Sequence, residues 1–299
     1  MEEKNNSKSD VYELITNRII AKLEQGVVPW RIPWTQAGLP KNLISNRPYR
    51  GINIWTLASL GYRQNLFLSY KQVKSLGGSI IKGQKACPVI LWKWNEKQDE
   101  RTKEITKIGI LRYYMVFNIE QCEGITIVNE SDVEVLEPPL LPSCEEIIEG
   151  YATCPLIEHR GSEAYYNRIN DTITMPFKKA FMDSDHYYST LFHEMVHSTG
   201  HPNRLNRKEL TESTKFGSEQ YSQEELVAEM GASFLTSLAG IGDKPFDNHV
   251  AYIQNWLEVL ENDKRCIVYA SGKAQKAVDY ILGNTNHTSG NVEAGEVIS

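Results

Sequence analysis

The 299-residue chain has no run approaching the roughly 20 consecutive apolar residues that a membrane span needs. Its N-terminus, MEEKNNSKSD, is polar and acidic instead of basic and then apolar. Both absences argue against insertion in or passage across a membrane, and they predict a cytoplasmic protein. Cysteine is sparse: Cys87, Cys122, Cys144, Cys154 and Cys266 are odd in number, scattered, and never form a C-x-x-C pair. Neither a disulfide framework nor a thiolate zinc ribbon is suggested. No internal repeat recurs at a solenoid period. The Gly/Lys-containing stretch SLGGSIIKGQK (75–85) lacks the spacing of a phosphate loop, so nucleotide hydrolysis is not indicated.

Charge of one sign is the scarcer in each half in turn. The formal net charge is −6, but residues 1–128 hold 19 Lys and Arg against 11 Asp and Glu, while residues 129–299 hold 13 against 27. A first half at +8 and a second at −14 should meet different partners. Between them, NESDVEVLEPPLLPSCEE (129–146) is acidic, contains three of the twelve prolines and has no sustained period. It reads as a linker. The expected organisation is a first domain over 1–128, this linker, a second domain over 147–283, and a disordered tail over 284–299.

The fold class that follows is α+β. In the first domain, DVYELITNRIIAKLEQG (10–26) places apolar residues at helical intervals after an Asp10 cap and stops at Gly26. CPVILWKW (87–94) and ILRYYMVFNI (110–119), flanking a charged hairpin-like stretch, predict an antiparallel sheet. The second domain is mostly helical with a small sheet: RINDTITMP (168–176) reads as a strand, and helical patterns cover roughly 184–199, 222–239, 247–261 and 264–282. The DTITMP stretch could serve as an edge strand for an extended peptide or as an ordinary strand covering a helix.

Histidine is scarce, at seven, yet LFHEMVHSTGH (191–201) holds three of them. Ser184 can cap a helix that Gly200 and Pro202 end, which puts His193 and His197 one turn apart on one face. Two imidazoles at i,i+4 suit a tetrahedral divalent ion, with Glu194 beside them to handle the proton of a water. The bland alternative, a pair of satisfied core histidines, fits the HExxH spacing less well. Zinc is the first expectation, with Mn2+ or another divalent ion also compatible. A third ligand is required. One known arrangement puts a histidine six residues after the second, but Asn203 stands there, and His201 lies past the glycine stop as a turn residue. In YSQEELVAEMGASFLTSLAG, Ser222 and Glu225 form a capping-box pattern, which gives Glu225 a structural task and leaves Glu229 as the expected third ligand, with Glu225 next. Ala228, Gly231, Ala232 and Ser233 would let the two helices approach closely. Tyr188 and Tyr221 are oxyanion-stabilising candidates by position. The resulting chemistry is metal-assisted peptide hydrolysis.

The basic first half is also rich in aromatics, a combination used to hold single-stranded nucleic acid by phosphate neutralisation and base stacking. RPYRGINIW (47–55) interleaves the two types most tightly. The candidate DNA contacts are Arg47, Tyr49, Arg50 and Trp55, together with Trp30, Trp34 and Lys85. Buried tryptophans on a solvated basic surface would give the same composition.

Taken in order, VPWRIPW, LPKNLISNRPYRGINIWTL, GGSIIKGQKACPVILWKW and YYMVFNIEQCEGI resemble the N-terminal domain of ArdC-type antirestriction proteins, also found near the start of some plasmid primases. YYNRINDTITMPFKKAF, LFHEMVHSTGHPNRLNR and EELVAEMGASFL resemble the zincin-like metallopeptidase domain that accompanies it. The resemblance spans about 10–282. It implies single-stranded DNA binding, protection of incoming plasmid DNA from host restriction during conjugation, and a metal held by His193 and His197 with Glu194 catalytic and Glu229 in the third acidic position. Host restriction enzymes or another protein substrate are the further partners it suggests, and no membrane is among them.

Overall fold

A computed structural model describes residues 10–31, 38–98, 105–125, 142–211, 219–241 and 249–284. Helix α1 (Val11–Leu23) forms as its spacing predicts. Asp10 accepts from the Tyr12 amide at 3.1 Å, and Gly26, at φ 77°, turns the chain out of the helix. Ile15, Ile19, Ile20 and Leu23 make its buried face.

After a 3-10 turn at Pro29–Arg31 come β1 (Lys41–Asn42), α2 (Ile52–Ala58), β2 (Leu66–Ser69), α3 (Tyr70–Ser75), β3 (Ser79–Ile80), β4 (Cys87–Gln98), β5 (Ile105–Asn118) and β6 (Cys122–Glu123). The main sheet runs β1-β2-β5-β4, antiparallel except for the β1–β2 pair, and β3 with β6 forms a small second sheet. Strands β4 and β5 pair in unbroken register from Cys87 opposite Val116 to Gln98 opposite Ile105, which makes a ribbon that outreaches the rest of the sheet.

The second half holds α4 (Cys144–Gly150), β7 (Leu156–His159), β8 (Tyr165–Asn167), β9 (Thr172–Met175), α5 (Ser184–Ser198), α6 (Lys208–Thr211), α7 (Glu219–Leu238), α8 (His249–Asn262) and α9 (Cys266–Ile281). The architecture is the expected two-domain α+β arrangement, with the larger sheet first and a mostly helical second domain. Several local expectations change. The anticipated linker lies partly outside the described residues, and its far end is helical, because Ser143 and Glu146 form a reciprocal capping box at the start of α4. The tail beyond residue 284 is outside the described residues. Strand β9 is the central strand of the order β7-β9-β8, so its backbone is already paired on both sides and it is not an edge. Asp183, not Ser184, caps α5, accepting from the His186 amide at 2.9 Å. Helix α7 begins at Glu219, ahead of Ser222, so the Ser222–Glu225 capping box does not form.

The two halves share the largest buried cluster, and the first half adds two smaller ones of its own around Phe67 and Leu68. Ile15, Trp30, Ile52 and Trp55 belong to the same buried cluster as Phe192, Leu226, Phe234, Trp256 and Val278. Trp30 meets Trp256 edge-on at 6.4 Å, and Trp55 meets Phe234 edge-on at 6.5 Å. Among the described residues, no helix is long and apolar enough to cross a membrane.

Candidate metal centre and nucleic-acid surface

Helix α5 buries Leu191, Phe192, Met195 and Val196, and α7 is its main packing partner. The close approach rests on Gly231, where an added Cβ would come within 2.7 Å of Val196 Cγ2. Of the run of small residues, Gly231 thus does what its composition predicts, while Ser233 instead donates to the Trp30 carbonyl. Drawing the helices together brings His193, His197 and Glu225 to one point. His193 Nε2 and His197 Nε2 are 3.0 Å apart, and Glu225 places Oε2 3.4 Å from the first and Oε1 3.5 Å from the second. An ion with bonds of about 2.0–2.1 Å to tetrahedral ligands sets them roughly 3.3–3.4 Å apart. The three donors thus fit such an ion, and they form a metal-competent cluster.

Glu229 does not reach this cluster. Its Oε2 takes a hydrogen bond and ion pair from Arg31 at 3.2 Å, tying α7 to the 3-10 turn of the first half. It is Glu225, not the expected Glu229, that lies with the two histidines. The cause is that the chain is already helical ahead of Ser222, which releases the Glu225 side chain from capping, and one further turn carries Glu229 out of range.

Behind the imidazoles lies a buried chain of partners that sequence reasoning missed. Glu224 Oε1 accepts from His197 Nδ1 at 3.1 Å, which fixes the ring with Nε2 turned toward Glu225 and His193. Arg207 in turn grips Glu224 with Nε at 2.9 Å and a terminal nitrogen at 2.6 Å, and it also donates to Thr199 Oγ1 and the Val196 carbonyl. Gly200 makes room for this arginine, since a Cβ there would lie 2.9 Å from its guanidinium. A Glu-Glu pair on the ligand-bearing helix was the one available signal. Nothing local marks Arg207.

The electrostatics suit a cation. Burial opposes protonation of His193 and His197, yet Glu225, helped at His197 by Glu224, outweighs it and raises both imidazoles. Burial likewise pushes Glu225 up, but the two histidines reverse that and hold its carboxyl well below the usual range. Glu194 is buried on the same helix and acts electrostatically on both rings. Of the two tyrosines considered, Tyr221 hydrogen-bonds Glu225, and burial raises its hydroxyl above the ordinary value. Tyr188 is instead engaged with Glu145 and Lys178. His201 is a turn residue, its Nδ1 accepting from the Asn203 amide at 3.2 Å.

The nucleic-acid candidates divide sharply. Trp30 and Trp55 are fully buried and Tyr49 nearly so, packed edge-on against Phe67, so none of the three can stack on a base. Their spacing among cations does not bring them to the surface, and α2, which carries Trp55, is buried at every residue. Arg50 is ion-paired with Asp279. Arg47 and Lys85 are exposed, and Trp34 lies outside the described residues.

A helix carrying HExxH, a crossing helix that supplies the acidic partner, and a three-stranded sheet beside them define the second half as a zincin-like metallopeptidase fold. A family model of that description matches residues 143–273, and one for the N-terminal domain of the anti-restriction factor ArdC matches residues 9–117. The metal-free crystal structure of antirestriction protein ArdC from plasmid R388 is 36% identical, with 92% of this chain and 97% of that one covered and a TM-score of 0.72. For its Mn(II)-bound form the values are 34%, 93%, 99% and 0.73. The chain belongs to the ArdC antirestriction family. Protein y4eC of Sinorhizobium fredii is 33% identical over 91% of this chain and 92% of its own length. Two DNA primases TraC from Escherichia coli are 32% and 33% identical over 92% of this chain, which spans only 20% and 27% of their lengths.

Proposed function

We propose that this protein binds single-stranded DNA and protects incoming plasmid DNA from host restriction during conjugation, acting in the cytoplasm, while its second half holds a divalent ion, zinc in the first instance. The observation that carries this reading is the likeness of both halves, in one chain and in one order, to the R388 antirestriction protein.

His193, His197 and Glu225 would hold the ion, with Glu224 and Arg207 keeping His197 in the tautomer that offers Nε2. The ion, when bound, supplies Lewis acidity and lowers the pKa of water. A Glu194 carboxylate oxygen would take the proton from the attacking water and return it to the departing amine. Tyr221, whose hydroxyl hydrogen-bonds Glu225, would be the candidate by position to donate to a developing oxyanion.

One observation favours a second reading, a DNA-directed metallopeptidase that cleaves a DNA-bound or restriction-associated protein: Glu194 is intact beside the cluster, and a purely structural metal site has no need of a general base. Glu194→Gln decides between the two. The variant should still bind metal and single-stranded DNA. Protection of that DNA from a restriction nuclease should persist if shielding is the function and vanish if cleavage is. Failure of the wild-type protein to bind single strands would sink the first reading outright.

A further inference from the structure

Trp30, Tyr49 and Trp55 are buried, but another set of rings is built into the surface. Trp94 stacks with Trp92 on one face of β4 (6.3 Å between centroids, 27° between planes). Trp92 lies 6.4 Å from Tyr269 of α9, and Tyr269 lies 5.9 Å from Tyr12 of α1, both at shallow tilts near 30°. The Arg265 guanidinium covers Tyr12 at 5.6 Å. The row thus runs Trp94, Trp92, Tyr269, Tyr12, Arg265, with Trp94 56% and Tyr269 45% exposed. Opposite Trp94 in the ribbon stands Gly109. A Cβ there would crowd Trp94 at 3.1 Å and Trp92 at 3.2 Å, so the glycine lets both indoles lie against β5.

We infer that this row is the base-stacking platform for single-stranded DNA, an assignment that rests on the DNA-binding reading above. The steps between rings are nearly twice the ~3.4 Å rise per nucleotide of a duplex strand. Such spacing suits bases drawn apart onto aromatic faces and does not match a stacked double helix. Charge agrees with the occupant. The second half is strongly acidic overall, yet α9 carries Lys273 and Lys276 one and two turns beyond Tyr269, and its only carboxylate, Asp279, is paired with Arg50. With Arg265 one turn before, this helix continues the basic character of the first half around the aromatic row. A strand laid there touches both halves of the chain. Stacking on arene faces is indifferent to base identity, so the platform reads strandedness and not sequence.

The test uses the full-length protein with a fluorescein-labelled oligothymidylate and, separately, a labelled duplex. Trp94→Ala and Tyr269→Ala should each weaken single-strand binding about 5- to 100-fold, leave duplex binding unchanged and leave the melting temperature within about 2 °C, because both rings are half exposed. Lys276→Gln should flatten the log–log salt dependence by about 0.7, the value of one phosphate on a single strand. Photocrosslinks from iodouracil-substituted DNA should fall on the peptides that contain Trp94 or Tyr269. If the wild type binds single strands but both alanine variants bind as tightly and crosslinks map elsewhere, the platform is overturned while DNA binding stands. Variants that melt earlier without losing affinity would make the row a clasp between the halves, which also overturns it. A wild type that retains no single-stranded DNA removes both ideas together.

Discussion

Replacing Glu225 and Glu229 one at a time by glutamine separates the proposed metal ligand from its neighbour one turn along α7. A metal present at a hundredfold over its Kd stabilises the folded state by about 2.7 kcal/mol. Unfolding entropy of about 2.1 cal/mol/K per residue gives a chain of this length about 0.6 kcal/mol/K, so the metal should raise Tm by about 4 °C. If Glu225→Gln weakens the site a hundredfold, the same metal concentration retains only about 0.4 kcal/mol, a shift under about 1 °C. Glu229→Gln should keep the full metal-induced shift. Its metal-free Tm should fall by about 2–5 °C instead, since Arg31, with a side chain 9% exposed, loses a charged acceptor worth about 1.5–3 kcal/mol. Calorimetry of wild type and both variants, with and without added zinc, reads both effects. A lost metal shift in Glu229→Gln together with a normal one in Glu225→Gln would refute the ligand set derived from the geometry.

Three further outcomes are expected. Glu224→Gln should lower metal affinity 10- to 100-fold, as for other carboxylates that orient a ligating histidine, which isothermal titration with zinc would register; an unchanged affinity would detach Glu224 from the site. Asp171 is held below the usual carboxylate range by hydrogen bonds from Arg204, against the effect of its burial. Its stabilisation is therefore complete above an ordinary aspartate pKa of about 3.9 and drains away as pH falls through the lower folded value. Asp171→Asn should accordingly melt earlier than wild type at neutral pH, with the gap closing in acid; a gap constant with pH would contradict this. Trp55→Ala should cost about 3–5 kcal/mol and shift the near-ultraviolet and far-ultraviolet unfolding curves together, whereas separate transitions would mean that the halves unfold independently.

How far the sequence reveals this molecule depends on the range of the interaction. His193, Glu194 and His197 were legible because a single helix sets their relation, and the α1 and α9 patterns for the same reason. The choice between Glu225 and Glu229 turned on where α7 starts, and Ser222–Glu225 imitates a cap that the longer helix overrides. Trp30 and Trp55 were misread because burial on this chain is decided by Trp256 and Phe234, some two hundred residues away, a contact that no local period announces. Arg207 was invisible for a related reason: its task exists only once α5 and α7 have met. Conversely, the exposed row begins with Trp92 and Trp94 in an alternating strand, where period two had already put both rings on one side.

The shared core also bears on how such a chain can be inherited. A break anywhere in the 126–141 region would leave Trp30 and Trp55 facing water on one product and Phe234 and Trp256 on the other, so each piece would be destabilised as a cassette. Recombination should therefore move the two halves as one genetic block. The relatives agree with that expectation: the match covers at least 91% of this chain whether the relative is of similar length or a primase several times longer. What a gene map would draw as two modules is, for selection, a single heritable part.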